Sequence, residues 1–288
     1  MDTVKEFEKR FEPEITDLLV LIKTSVNGAA GSGDMLYPST EFIASVNMQT
    51  GEFSRKPGRL EWQIKNTKFR MGWGFNFKQY QICHIRARKN IPITLEPYMR
   101  KTLNNCYMVV EVVEKNASEP RLDALKEHVL QPVLIEDAAL GTFTLDRTYS
   151  WFEGIVDWLG IKCLAYLRTD EEDGETAEKA HLYLQELYKN RKEWDEKFRD
   201  FATEQLWELA NEWYDGEDEY YEDEEDEDAD IIYITKEAFS GRISIESITI
   251  YSSDSLTLYY YDDDMFAGHA IEIDGNMDGT LRRADIVG

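Results

Sequence analysis

The order of hydrophobic periodicities in the second half of the chain limits the folds open to it. Residues 142–145, 151–158 and 161–167 read as strands. Two stretches at helical spacing follow. Ala177, Ala180, Leu184, Leu187 and Tyr188 share one face of the first, and Trp194, Phe198, Phe201, Leu206, Leu209 and Trp213 one face of the second. Strand-like runs return at 231–234, 243–250, 256–261 and 269–273. Strands, then helices, then strands predict an antiparallel sheet with the two helices packed on one side. Leu159-Gly160 has the composition of a tight hairpin turn. The apolar phase slips between Ile245 and Ile248, which predicts a bulge at Glu246-Ser247.

The first half reads differently. Pro13 at a first-turn position and the stripe Ile15, Leu18, Leu19 and Ile22 predict an amphipathic helix over 11–26. The glycines at 28, 31 and 33 then read as a linker. From Phe42 to Glu114 the pattern is strand-like, with Phe75, Phe77, Cys83, Ile85 and Ala87 on one parity and Met108 to Val113 suited to a central strand. A short helix is expected over 120–130, stopped by Pro132. The chain is therefore expected to be α+β with two domains. Residues 1–33 form a leading helix and linker, 34–136 a β-rich domain, and 137–288 an α+β domain with an acidic loop at 215–230.

Within 288 residues, 42% apolar and 12% aromatic side chains suffice for two packed cores. Three cysteines, Cys83, Cys106 and Cys163, are too scattered for a disulfide framework and read as buried free thiols. Residues 1–10 carry mixed charges where a secretory leader needs a basic and then an apolar region, and no apolar run is long enough to span a bilayer. The reading is a cytoplasmic protein with no membrane partner.

Several short stretches carry a family resemblance. They are Leu140-Gly141-Thr142-Phe143-Thr144-Leu145-Asp146-Arg147, Trp151-Phe152-Glu153-Gly154 and Asp157-Trp158-Leu159-Gly160, then Phe266-Ala267-Gly268-His269-Ala270-Ile271, Asp278-Gly279 and Ala284-Asp285-Ile286. In order and spacing, residues 138–288 resemble the bacterial domain of unknown function 2262. Position 267 is Ala where the resemblance leads one to expect a bulkier aromatic. The resemblance implies a bacterial protein and supplies no reaction.

The net charge of −25 repels nucleic acid and anionic membranes and attracts basic proteins. Twelve acids crowd into 215–230, beside Tyr214, Tyr220 and Tyr221. Tyr next to carboxylates suits Arg and Lys, through cation–π contacts and charge-assisted hydrogen bonds. Tyr214, Glu217, Asp218, Glu219, Tyr220, Tyr221, Glu222 and Asp223 are thus the expected surface for a basic protein partner, for example a toxin to which this chain is the antidote.

Three other constellations bear on chemistry. His269, with Asp262, Asp263 and Asp264 upstream, has the elements of a general base, set against the plainer role of a histidine bonded to backbone. Asp274, Asn276, Asp278, Thr280 and Asp285 are spaced as calcium ligands, though Arg282 and Arg283 intrude and a polar Asx turn is the plainer reading. Residues 62–95 hold no acid; Lys65, Lys68, Arg70, Lys78, Arg86, Arg88 and Lys89 alternate with Phe69, Trp73, Phe75, Phe77 and Tyr80. Those are ingredients of single-strand binding, against which the overall charge argues. No phosphate loop, zincin, nucleophile-elbow or Cys-x-x-Cys motif occurs. The expectation is a non-enzymatic protein-binding module without a cofactor, with a His269-centred or calcium-dependent hydrolase as the alternative.

Overall fold

The computed structural model describes residues 3–26, 28–96, 99, 101–217 and 234–288. It divides into unit 1, Met1–Gln131, and unit 2, Pro132–Gly288. Unit 1 comprises α1 (Thr3–Glu8), β1 (Phe11–Ile22), β2 (Ala29–Ser32), β3 (Met35–Asn47), β4 (Phe53–Ser54), β5 (Gly58–Glu61), β6 (Ile64–Lys65), β7 (Ile82–Asn90), β8 (Cys106–Lys115) and α2 (Pro120–Leu130). Hydrogen bonding runs β1-β7-β8-β5-β3 and returns from β3 to β1, which closes a five-stranded barrel. The β5–β8 pair is parallel and the others are antiparallel.

The segment predicted as a helix over 11–26 is instead β1. Leu18, Val20 and Ile22 point into the barrel with Phe42, Leu60 and Ile85, while Leu19 and Leu21 point out beneath Leu122 and Leu125 of α2. A strand buried on both faces presents a continuous apolar run, and over five residues such a run also satisfies helical spacing. Pro13 falls where the β1–β7 register shifts, between Phe11 and Ile15, a place where a missing N–H is tolerated. The glycine-rich linker is also corrected. Ala29 to Ser32 pair with Pro38 to Met35 across a turn at Gly33, whose φ is 59°. The predicted short helix forms as α2, with Pro120 in its first turn and Glu119 accepting from the N–H groups of Arg121 and Leu122.

Unit 2 comprises β9 (Leu134–Asp137), β10 (Gly141–Asp146), β11 (Trp151–Trp158), β12 (Ile161–Arg168), α3 (Glu178–Lys189), α4 (Arg191–Glu217), α5 (Lys236–Arg242), β13 (Ser244–Ile250), β14 (Ser255–Tyr261), β15 (Ala270–Asn276) and β16 (Leu281–Val287). The strands form one sheet in the order β16-β15-β14-β13-β12-β11-β10-β9. It is antiparallel except at β12–β13, which pair in parallel because the helical segment crosses over between them. Leu184, Leu187, Phe198 and Ala202 of the helices pack on Phe152, Val156, Leu167, Ile248, Leu258 and Ile271 of the sheet. Burying each such Leu, Ile or Phe side chain stabilises by about 1.5–3 kcal/mol. Leu159 and Gly160, with φ of 54° and 91°, make the predicted tight turn, and the β13–β14 register slips between Ile245 and Ser247 as expected. The predicted strand at 231–234 lies outside the described residues except for Ile234, which is not in a strand.

All three cysteines are free and buried. Burial pushes the Cys83 thiol up to about 11 and those of Cys106 and Cys163 up to about 12, so they stay protonated at neutral pH. No helix among the described residues is long and apolar enough to cross a membrane.

Candidate protein-interaction site

Among the described residues, the helices of unit 2 pack on one face of its sheet and the other face carries none. On β11 and β12 this face carries Trp151, Glu153 and Ile155 beside Arg168, Tyr166 and Leu164, each directly opposite its partner. Tyr149 stacks on Trp151 with ring centroids 4.9 Å apart, and Trp151 meets Tyr166 at 4.6 Å. Arg168 reaches over both Trp151 and Tyr251. Tyr149 is 58% exposed and Ile155 59%. Glu153 and Glu246 are exposed and have no ion-pair partner among the described residues. Burial first, then the Glu153 and Glu246 carboxylates, raise the Tyr166 phenol above its ordinary range. The indole Nε1–H of Trp151 is buried without an acceptor, an arrangement that costs about 1–3 kcal/mol. Toward β16 the same face continues with Tyr259 bonded to Glu272 at 2.6 Å, Thr257 bonded to Asp274 at 2.8 Å, and Arg283 against both carboxylates.

The expected partner surface falls mostly outside the described residues. The backbone of α4 runs through Tyr214 to Glu217, whereas Asp218, Glu219, Tyr220, Tyr221, Glu222, Asp223 and the rest of the acidic run lie outside the described residues.

The structure places the other predicted residues on β15, on β16 and in the turns that flank β15. Asp262, fully buried, accepts from the backbone N–H of Asp264 at 3.2 Å and of Phe266 at 2.7 Å. His269 donates Nδ1–H to the Phe266 carbonyl at 2.6 Å and packs edge-on against Trp213. These two residues thus meet on the Phe266 backbone. Asp263 pairs with Arg242 at 2.7 Å, and Asp264 bonds Tyr261. Asp274 and Asn276 stand on β15 and Asp285 on β16, with Asp278 and Thr280 in the turn between; the Thr280 N–H donates to Asp278 Oδ1 at 2.8 Å, an Asx-turn bond. Arg283 lies opposite Asp274 in the ladder and 3.8 Å from the Asp285 carboxylate. Among the described residues no three His, Cys, Asp or Glu side chains gather as a metal site.

In unit 1, Trp62 is buried and donates to the Trp73 carbonyl, and Phe75 and Phe77 pack edge-on against it. Arg86 pairs with Glu111, Arg88 binds the carbonyls of Glu12 and Phe11, and Arg70 lies on Trp73 at 3.9 Å. Much of the 62–95 segment therefore serves its own fold, while Phe69 stands 92% exposed.

Residues 137–286 match the model of a family of uncharacterized proteins conserved in bacteria, DUF2262. The chain belongs to that family. Residues 3–129 match a second domain of unknown function, DUF7021. No curated protein and no solved structure matches the chain.

Two of the stretches that resemble DUF2262 in sequence meet at a tight contact. A Cβ on Gly154 would lie 2.5 Å from the Phe143 ring, so these two positions of the neighbouring strands β10 and β11 fit only as a pair. Two polar clusters of the DUF2262 unit are not among the sites expected from the sequence. Asp195 on α4 binds Trp158, Tyr260 and Arg199. Asp137 on β9 accepts from Gln185 at 2.7 Å, from His181 at 3.0 Å, and from the N–H groups of Ala139 and Leu140. His181 therefore faces a carboxylate at the edge of the core.

The Gln185 hydrogen bond, with those of Ala139, Leu140 and His181, lowers the Asp137 carboxyl from 3.8 to about 2 against the opposing effect of burial. A depressed carboxyl contributes stability above its unfolded value that is lost as pH falls through its folded one. Asp137→Asn should therefore be less stable than wild type at pH 5, with the gap closing between about pH 4 and pH 2. Urea unfolding at stepped pH measures this, and a gap constant across that window would contradict it.

Proposed function

We propose that the open sheet face of the DUF2262 unit binds a basic protein, with Trp151 and Tyr166 receiving Arg or Lys side chains between the Glu153 and Glu246 carboxylates. The observation that carries this reading is a half-exposed aromatic patch flanked by two exposed carboxylates that no cation of the described residues pairs with. Trp and Tyr anchors give large contact area at low entropic cost, and unpaired carboxylates steer and orient a cationic partner. The net charge of −25 works in the same direction at long range. In its most concrete form the partner is a basic toxin and this chain its antidote.

The test is retention of basic proteins by the immobilised chain, at low and moderate salt, for wild type and a Glu153→Lys/Glu246→Lys variant. A partner held stoichiometrically by wild type, weakened by salt, and bound about 100-fold less tightly by the variant is the expected result. Equal retention by a correctly folded variant would overturn the assignment. Loss of retention only on deleting residues 217–228 would move the site to the acidic run.

A further inference from the structure

Small closed barrels fill their interiors with side chains, and the middle of unit 1 is filled with apolar ones such as Leu18, Val20, Phe42, Ile85, Ala87 and Val109. That pattern fails at one end. Directly opposed residues of paired strands point to the same face. Asn47 lies opposite Leu18 and Ser45 opposite Val20, so both point inward. Ser54 lies opposite Ser45, Thr16 opposite Ala87, and Lys89 opposite Tyr107 one inward step beyond Ala87. The register therefore turns hydroxyl, amide and ammonium groups into the barrel mouth. There they line a cavity of about 250 Å³, with Glu52 and Lys56 also on its wall.

Ser54 Oγ accepts the Lys56 N–H at 3.3 Å, and Asn47 Oδ1 accepts those of Gln49 and Thr50. Among the described residues, the hydroxyls of Ser45 and Tyr107 and the ammonium groups of Lys56 and Lys89 have no hydrogen-bond partner. Ser45 is only 8% exposed. Burial, and then the Glu52 carboxylate, raise the Tyr107 phenol, which keeps it a donor at neutral pH. A fold has no need of unpaired polar groups on an inward face, because hydrophobic side chains there would stabilise it more. Convergent polar groups in a barrel mouth are instead the usual form of a small-molecule site.

Two ammonium groups against one carboxylate leave the cavity net positive in a chain of charge −25. The hydroxyls around them suit a ligand that carries hydroxyls of its own. The volume lies below the roughly 300–1,000 Å³ of drug-sized pockets, which limits the ligand to about the size of a hexose acid. We propose that the mouth of the unit 1 barrel is a binding site for a small hydroxylated anion. Its carboxylate or phosphate is held by Lys56 and Lys89 and its hydroxyls by Ser45, Ser54, Thr16 and Tyr107.

The experiment is a ¹⁵N NMR titration of the full chain with gluconate, with glucose 6-phosphate, and with glucose as the uncharged control. Saturable shifts at the Ser45, Ser54 and Lys89 amides with either anion, and none with glucose, are expected. Preference between the two anions reports whether carboxylate or phosphate is the natural head group. Lys89→Met should weaken the binding about tenfold or more, the loss of one charge-assisted hydrogen bond. Ser45→Ala, which removes a single hydroxyl, provides the same test by a smaller loss if Lys89→Met does not fold. Absence of saturable shifts with both anions, equal binding of glucose, or unchanged affinity in a folded Lys89→Met protein would each overturn the proposal.

Discussion

Asp195→Ala is expected to destabilise the DUF2262 unit by about 3–5 kcal/mol, enough to unfold much of it if its stability is that of an ordinary domain. Asp195 is 8% exposed. Its Oδ1 accepts from Trp158 Nε1 at 2.9 Å and from the Tyr260 hydroxyl at 3.4 Å, and its Oδ2 from Arg199 Nε at 2.7 Å. Arg199 in turn donates to the carbonyls of Ser240 and Ile243, at 2.6 Å each, and so ties α4 to the end of α5. Truncating Asp195 leaves a guanidinium with its main counter-charge gone and two buried donors unpaired. The tyrosine cannot compensate by ionising, because burial holds the Tyr260 phenol far above its ordinary range. Urea unfolding of D195A, R199M and the double variant measures the coupling. The double variant should be more stable than D195A alone, since removing both charges leaves none uncompensated. A D195A loss under 1 kcal/mol would mean that water substitutes freely for the carboxylate.

This network shows why the fold was more legible than its polar wiring. The DUF2262 unit announced itself through patterns that a single segment carries: helix faces such as Trp194 to Trp213, a turn at Leu159-Gly160, and a phase slip at Glu246. Asp195 falls on the apolar side of that helical pattern, in line with Phe198, Leu206 and Trp213, but a lone carboxylate there does not name its partners. Its partners are 37 and 65 residues away in sequence for Trp158 and Tyr260. The open-face patch was hidden for the same reason. Trp151 and Tyr166 were visible as strand residues, but only the β11–β12 register makes them neighbours.

Unit 1 misled for a different reason. Leu18 to Ile22 is short, wholly apolar and buried on both faces, and such a run fits helix and strand templates alike. What decides for the strand is long-range pairing with β3 and β7 on either side. The polar mouth of the barrel has the same origin. Thr16, Ser45 and Lys89 look like surface residues of three separate strands until register turns them inward together. The acidic run, the loudest sequence feature, drew the partner reading to itself. The open sheet face of the DUF2262 unit has carboxylates beside aromatic side chains that strands hold in place, which keeps the ordering cost of the proposed binding low.

Gly58→Ala is expected to cost unit 1 about 3 kcal/mol, at the upper end of what one added methyl does in a packed core. Gly58 begins β5 and lies opposite Phe42. A Cβ there would stand 2.1 Å from Phe42 Cζ, 2.5 Å from the Asn105 carbonyl oxygen and 2.6 Å from Asn105 Nδ2. Neither neighbour can yield cheaply. Phe42 is fully buried inside the barrel. Asn105 accepts the Arg59 N–H at 2.9 Å and donates Nδ2 to the carbonyls of Lys56 and Pro57. The clash therefore falls where the β5–β8 pairing starts, the parallel contact of the barrel. Hydrogen exchange of the β3, β5 and β8 amides reads the loss in this unit separately from the DUF2262 unit. Phe42→Leu in the Gly58→Ala background should recover part of it by vacating the space at the ring edge. Protection within 0.5 kcal/mol of wild type in Gly58→Ala would show that the barrel relaxes around the methyl. A large loss that Phe42→Leu leaves untouched would place the strain on Asn105, and with it on the wall of the barrel-mouth cavity that Asn105 helps to line.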